Sequence, residues 1–382
     1  NQMHPAELLT WIVCAATAAG YSFLLLRYAL SWKRAPQFVP QEKANVRISV
    51  IVPARNEEAR LGECLESLCA QSFPQAQFEV LVIDDHSEDA TAEIASRYSD
   101  RLPLRVLKLS ELPGCAQGKK AAVTLGVRQA QYELIVATDA DCRAGAEWLT
   151  LLAAFFAQHA PKMIIGPVLF HREKNFFGHL QSLEFSALAL VAGAAALEGK
   201  ALLCNGANLA YAREVFEEVN GYSGDAQASG DDVLLLQRVL KKYPQGVKYI
   251  KHPAAAVFTE PQRSGRAFFD QRKRWVSKFS AYRLPRLIMT AMLVYGMSFL
   301  IVLCGALALL HAALVWPFLL LVVVKAGVDF LFLSLAASFF SRPRPLRFYL
   351  PAQLLYSFYV LAVTAGGIGG GYSWKGRSSR SL

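Results

Sequence analysis

The chain has 382 residues, of which 54% are hydrophobic and only 18% charged, with a mean hydropathy of +0.27. A soluble domain carries about 25% charged residues, so this composition excludes a disordered or linker-type chain and points toward membrane. Forty Lys and Arg against thirty Asp and Glu leave a net charge of +10, a balance that suits nucleic acid, anionic lipid or phosphate-rich substrates.

Leu8 to Leu26 comes first in chain order, about 19 uncharged residues and enough to span a bilayer. A cleaved signal peptide fits less well, because no Lys or Arg precedes the run and it exceeds the usual apolar core of such peptides. Arg27, Lys33 and Arg34 follow directly, so the positive-inside rule puts the N-terminus outside and the next segment in the cytoplasm. Residues 1–34 are thus expected to be an N-terminal transmembrane helix.

Between residues 45 and 260 the pattern changes. Val46–Pro53 is mostly β-branched and ends in an unbroken apolar stretch, as in a strand buried on both faces. A helix is expected over Glu57–Gln71 with Asn56 as N-cap. Then come a strand at Phe78–Ile83, a helix at Glu88–Tyr98, a strand at Leu104–Leu109, a helix at Lys119–Gln131 and a strand at Glu133–Thr138. Strand alternating with helix predicts an α/β domain on a doubly wound, mostly parallel sheet. Ligands on such sheets bind at the carboxyl ends of the strands.

Those ends carry polar clusters. Pro53-Ala54-Arg55-Asn56-Glu57-Glu58 closes the first strand and alone reads as a capped turn. Asp84-Asp85-His86-Ser87-Glu88-Asp89 closes the second. Ser87 as a helix cap, with Glu88 and Asp89 in the first turn, accounts for the later residues. It does not account for two adjacent carboxylates after a buried run, one of which must enter the crevice, where it can accept from a base N–H or a ribose hydroxyl. Gly118-Lys119-Lys120 opens a helix without P-loop spacing, as a phosphate site or as a solvated helix start. Thr138-Asp139-Ala140-Asp141 sets two carboxylates at i and i+2 after a buried strand. They can grip Mg²⁺ or Mn²⁺ together with substrate phosphates, or form an Asx-turn. Ser229-Gly230-Asp231-Asp232 reads first as a capped helix start and otherwise as a general base held at a helix N-terminus. Ser182–Leu197 is apolar but short and contains Glu184, so it is read as an interfacial or acceptor-side helix rather than a span.

Residues 261–286 form a basic, aromatic segment. From Arg263 to Arg286 eight Lys or Arg stand against one acid, Asp270, with Phe268, Phe269 and Trp275 among them. This suits an interfacial helix resting on anionic lipid, and leaves Gln271, Arg274 and Trp275 able to face an active site. Residues 287–382 hold three more apolar runs, Leu287–Leu310, Ala312–Phe340 and Phe348 to about Gly371, a C-terminal membrane domain of two or three spans. Lys375, Arg377 and Arg380 after the last run argue that it is re-entrant or interfacial. Lys325 and Asp329, four apart inside the second run, are expected to pair and face the bundle interior, as a structural pair or for headgroup recognition. Seven cysteines without a CxxC spacing read as reduced thiols facing the cytosol, with no zinc site.

An opening strand ending VPARNE, then DDxSxD, GK, DAD, Asn205-Gly206-Ala207-Asn208, GDD, Glu260-Pro261 and QRKRW, in this order, resembles the membrane-integrated family 2 glycosyltransferases with a GT-A fold. Lipid, ceramide and carotenoid glycosyltransferases are the nearer likeness and processive polysaccharide synthases the more distant one. The resemblance covers roughly residues 46 to 285. It implies that Pro53, Arg55, Glu57 and Asp85 surround the nucleotide base and ribose, with Asp84 counted in the same donor site. Lys119 and Asp139 would lie along the donor, and Asp141, with Asp139 beside it, would hold Mg²⁺ or Mn²⁺ on the diphosphate. Asp232 would be the catalytic base, with Asp231 as its neighbouring candidate. Gln271, Arg274 and Trp275 would close over the diphosphate and acceptor. Gly230-Asp231-Asp232 departs from the Thr-Glu-Asp common in processive members, and Trp374-Lys375-Gly376-Arg377 looks like the tail of some lipid and carotenoid glycosyltransferases.

One base and no separate nucleophile favour single displacement with inversion, from a UDP-sugar to a membrane lipid at the cytoplasmic face of a multi-pass plasma-membrane protein. At most four spans of Leu, Val, Ala and Phe suit an anchor and a cleft open to lipid better than a polysaccharide pore, although processive synthases also carry QxxRW. The expected partners are the nucleotide-sugar donor, a lipid acceptor and the membrane. Nucleic acid is not among them, since the α/β region lacks an aromatic-basic RNA motif.

Overall fold

The computed structural model describes residues 5–41, 44–111, 117–223, 231–368, 372–374 and 377–379. Cys115, Ser229, Gly230, Lys375, Gly376 and Arg380, and the side chains of Asp231, Trp374 and Arg377, lie outside the described residues. The chain runs α1 (Pro5–Arg34), β1 (Ile48–Ala54), α2 (Leu61–Cys69), β2 (Phe78–Asp84), α3 (Thr91–Ser96), β3 (Leu104–Lys108), α4 (Lys119–Gln129) and β4 (Leu134–Ala137). It continues through β5 (Arg143–Ala144), α5 (Trp148–His159), β6 (Met163–Ile165), β7 (Val168–Phe170), α6 (Phe176–Leu197), β8 (Leu209–Ala212), α7 (Arg213–Glu218), α8 (Asp231–Lys242), β9 (Val247–Tyr249) and β10 (Val257–Thr259). Four helices close it: α9 (Gly265–Ser277), α10 (Pro285–Ala308), α11 (Val315–Phe339) and α12 (Tyr349–Ile368).

The main sheet has the order β3-β2-β1-β4-β8-β6-β9. Its pairs are parallel except those of β8, which runs against both β4 and β6. This is the expected α/β architecture on a mostly parallel sheet. From β1 the chain first builds outward through β2 and β3, then crosses to β4 on the other side. The crevice beyond the carboxyl ends of β1 and β4 is therefore the switch point at which such sheets bind ligands. A smaller sheet, β5-β10-β7, stands beside it.

The strands are buried on both faces because side chains alternate. Val50, Val52, Val80, Val82 and Val136 pack with α2 and α5 on one face. Ile51, Leu81, Ile83 and Ile135 pack on the other with α4, and that second core runs on without a break into α1, α10 and α11. The main sheet and the apolar helices thus share a core.

Five described helices are long and apolar enough to cross a membrane. In α1, α10, α11 and α12 about a fifth of the most apolar stretch is buried inside the protein, against 61% in α6. Their outward faces carry Phe23, Met289, Trp316 and Leu350, all more than 65% exposed, a surface suited to hydrocarbon and not to water. α6 begins six residues before Ser182 and lies between α1 and the sheet, with Gly193 close against Trp32 and Tyr249. At the end of α1, buried Lys251 donates to the Trp32 and Ala35 carbonyls at 2.5 and 2.6 Å, which meets helix-terminal acceptors with a cation. α12 begins beside α6 and ends beside α9. Phe348, just before it, stacks on His179 of α6 at 4.6 Å, and Gly366 and Gly367 near its end lie against Lys273 and Val276 of α9.

Candidate active site

The loops after β1 and β2 are laced together. The N–H groups of Asn56, Glu57 and Glu58 donate to Ser87 Oγ (3.0 Å), Thr91 Oγ1 (2.8 Å) and Asp89 Oδ2 (3.1 Å). In return the N–H groups of Glu88 and Ala90 donate to Asn56 Oδ1 (2.9 Å) and Glu58 Oε2 (3.1 Å). Two local expectations fail here. Asn56 does not cap a helix: it sits at φ 49°, a left-handed conformation that Asn tolerates, and α2 starts only at Leu61. Ser87 does not cap α3, which starts at Thr91. Both side chains satisfy the backbone of the other loop instead.

This lacing presents Arg55 and Asp85 to the crevice. Arg55 donates to the carbonyls of Asp85 (2.9 Å) and His86 (3.3 Å). Asp85 Oδ1 accepts from the Gly118 N–H at 3.1 Å and is 3.2 Å from His86 Nδ1. Asp84 accepts from the Ser87 N–H at 3.3 Å and does not line the cavity, whereas Pro53, Arg55, Glu57 and Asp85 do. Of the adjacent carboxylates, then, one enters the crevice and the other holds the loop.

Gly118 takes φ 96° and delivers Lys119 at the start of α4, its Nζ 2.5 Å from Asp139 Oδ1. Asp141 Oδ2 is 3.3 Å from Arg60 Nη1 and accepts from Thr259 Oγ1 at 3.4 Å. The ligand atoms of Asp139, Asp141 and Cys142 lie within 4.8 Å of one another. Burial, then the charges of Asp141 and Asp139, push the Cys142 thiol well above its ordinary range. The donor set on offer is thus two carboxylates without a thiolate, which fits a hard divalent cation and not a soft one.

Asp232 lies in the first turn of α8. Its Oδ2 accepts from the Gly206 N–H at 3.2 Å and its Oδ1 from its neighbour Val233 N–H at 2.8 Å. Asn208, from the same loop as Gly206, is structural. Its amide donates to the Pro167 and Ala255 carbonyls at 2.8 Å and accepts from Trp148 Nε1 at 3.0 Å, which ties three segments together beneath the site.

α9 is capped by Ser264, whose Oγ accepts from the Ala267 N–H at 3.2 Å. Gln271, Arg274 and Trp275, at i, i+3 and i+4, share the face that lines the cavity. Arg272, which the sequence reading did not single out, backs them. It is 2% exposed, donates to Glu184 Oε2 at 3.0 and 2.7 Å and also to the Gln271 side chain. Its guanidinium lies 4.2 Å from the Trp275 ring centroid and 4.5 Å from that of Phe268. Glu184 also accepts from Tyr359 of α12 at 2.7 Å. The signal available in the sequence was Glu184 itself, an acid inside an apolar run. Arg60 and Thr259 also line the site unannounced, together with Glu260 of the Glu260-Pro261 motif. Burial alone would raise the Glu260 carboxyl, yet Arg172 and Arg263 hold it below the ordinary carboxylate range.

These groups line one cavity of about 1080 Å³. It runs from Asp85, Lys119, Asp139 and Asp141 past Asp232 and Trp275, and on between α6, α10 and α12.

Residues 49–219 match the sequence profile of glycosyl transferase family 2, so the α/β region carries a glycosyltransferase family 2 domain. Among curated relatives, the poly(ribitol-phosphate) beta-N-acetylglucosaminyltransferase TarS of Staphylococcus aureus is 38% identical over 120 residues, 31% of this chain and 20% of that protein. The beta-monoglucosyldiacylglycerol synthase of Synechocystis sp. is 25% identical over 272 residues, 70% of this chain and 55% of that protein. This chain therefore spans from a fifth to about half of the length of these relatives. The solved mannosyltransferase PcManGT from Pyrobaculum calidifontis, in complex with GDP-Man and Mn²⁺, superposes with a TM-score of 0.57 over 94% of this chain and 99% of that one, at 21% identity. The shared fold is of the GT-A kind.

Proposed function

We propose that this protein is an inverting glycosyltransferase that moves a sugar from a nucleoside diphosphate sugar to the hydroxyl of a membrane lipid, with the α/β region on the cytoplasmic side. The observation that carries the reading is the continuity of the cavity, from paired acids at strand ends to apolar helices. Arg55, Glu57 and Asp85 would hold the nucleoside and ribose, with Pro53 as wall. Asp139 and Asp141 would hold Mg²⁺ or Mn²⁺. When bound, the cation neutralises charge that develops on the departing diphosphate. Lys119 and Arg274 would add fixed positive charge at the same place, where it acts on the transition state.

Asp232 would take the proton of the acceptor hydroxyl as that oxygen attacks the anomeric carbon. Its carboxylate already accepts two backbone N–H groups, which orient it in the helix N-terminus. Asp231 is the adjacent alternative. With one base on the acceptor side, a single displacement inverts the anomeric configuration. Trp275 and Gln271 would frame the acceptor. The 1–34 and 287–368 helices would anchor the protein, with α12 re-entrant, since its start packs on the beginning of α6 and its end on α9 of the basic interfacial segment.

The test is product partition. The full chain in lipid nanodiscs is given labelled UDP- and GDP-sugars and a membrane lipid extract. Label in short glycolipid, extracted into organic solvent, is the expected result. Label in a long water-soluble polymer, made without added lipid, overturns it in favour of a processive synthase.

A further inference from the structure

Beyond Trp275 the cavity continues among membrane helices, and there it is not uniformly apolar. Tyr21 of α1, Asp329 of α11, and Gln353 and Tyr356 of α12 line it. Lys325 does not. It is 2% exposed, sits behind Asp329 as its ion-pair partner and lies 4.4 Å from the centroid of the Tyr356 ring. Asp329 Oδ1 accepts from the Tyr21 hydroxyl at 2.5 Å, and Oδ2 accepts from Lys325 and from Gln353 Nε2 at 3.0 Å.

A pair that served only to satisfy itself would need no face on a cavity. Here the cation is turned away, and the carboxylate and an amide from a second helix are turned in. A carboxylate offers about four acceptor positions, and the three bonds above leave room for one more donor. Ionisable groups inside a membrane that face a cavity mark substrate paths. Asp329 lies ten residues before Phe339, the end of α11 next to the α/β region, or about 15 Å at the helical rise. That is the depth of a lipid's apolar body and not of its headgroup.

Resting on the lipid-acceptor reading above, we propose that Asp329, Gln353 and Tyr21 form a second recognition site, which hydrogen-bonds a hydroxyl carried on the apolar body of the acceptor. The acceptor is then an amphiphile with two polar points: one hydroxyl at Asp232 that receives the sugar, and another held deep between α1, α11 and α12. A site built around such a hydroxyl discriminates strongly against the analogue that lacks it, because its own polar groups would be left unpaired.

The test measures transfer to the extracted lipid by the full chain in nanodiscs, with two competitors, octadecanol and an octadecanediol bearing its second hydroxyl in mid-chain. The variants are Gln353→Leu, Tyr21→Phe and the double change Lys325→Met with Asp329→Leu, which removes both charges together and leaves neither unpaired. In the wild type the diol should inhibit about tenfold more strongly than the mono-alcohol, the scale of one hydrogen bond. The variants should lose that difference and show a raised KM for lipid with an unchanged KM for the nucleotide sugar. Equal inhibition by the two alcohols in the wild type, or variants that keep the difference and the lipid KM, would overturn the proposal. A wild type that labels no lipid at all would sink the acceptor reading itself, and this site with it.

Discussion

The two halves of the cavity treat charge differently. At the strand ends the ion pairs are open to water: Lys119 and Asp139 expose 24% and 34% of their side chains, Arg60 and Asp141 36% and 29%. Toward the long apolar helices they are closed: Arg272 and Glu184 expose 2% and 13%, as do Lys325 and Asp329. An exposed pair contributes little to stability, about 0–1 kcal/mol, so a ligand can displace one partner at small cost. A buried pair that loses one partner leaves a charge unsolvated, which costs about 3–5 kcal/mol. The first half is built of exchangeable contacts, and the second of pairs that stay closed whatever binds beside them.

The sharpest way to break this comparison is at the open acids. Asp141→Ala should bring sugar transfer down to background, and excess EDTA should do the same to the wild type, while the thermal midpoint in detergent stays unchanged. Full activity in EDTA would remove the cation from the proposal. Next comes Asp232→Asn, which should still bind nucleotide in a calorimetric titration yet lose at least about 10²-fold in rate, the low end for removal of a general base. Asp231→Asn is the control. A dead Asp231 variant beside an active Asp232 variant would exchange their roles.

The contrast between halves is tested directly by two neutralised cations. Arg272→Met should destabilise the fold by about 3–5 kcal/mol, read as a lowered thermal midpoint, and adding Glu184→Met should recover most of it. Lys119→Met should leave the midpoint alone and weaken donor binding. If both single variants melt alike, the distinction between exchangeable and permanent pairs fails.

The smallest effect is a pH limb. Glu173 accepts from Ser182 at 2.6 Å and from Arg342 at 2.7 Å, joining the loop after β7 to the loop after α11. Burial alone would raise its carboxyl, but Ser182, its backbone contact and Arg342 hold it below its ordinary 4.5. A depressed folded value means that this group stabilises the protein above the unfolded value, and that the contribution fades as pH falls below 4.5. Glu173→Gln should flatten that part of a plot of midpoint against pH and change little above it.

Much of this site was legible from residue types in order. Asp139 and Asp141 follow a strand whose burial the run LIVA announces, and Asp232 follows a polar break before an amphipathic run. The caps were not legible. Asn56 and Ser87 have the chemistry of N-caps, but each is taken by the backbone of the other's loop, about thirty residues away in sequence, and no local rule contains that partner. The Lys325–Asp329 pair was legible as a pair, because both residues lie on one helix at i and i+4. That Asp329 and not Lys325 faces the cavity goes with its bonds to Tyr21 and Gln353, which come from opposite ends of the chain.

The division has a physical cause. Strand and helix order, the apolar runs and the kinds of groups at the strand ends follow from periodicity and charge, which act over a few residues and are written in the sequence. Which of two neighbours turns inward is settled by contacts between segments far apart. Asp85 faces the cavity and Asp84 the loop because Gly118 and Ser87 arrive on opposite sides. Arg274 faces the site and Arg272 the scaffold because two residues are about 200° apart on a helix and Glu184 and Tyr359 wait on only one side of it. α6 is enclosed, and α12 lies between α6 and α9, because of what packs against them, and those neighbours exist only once the chain has folded.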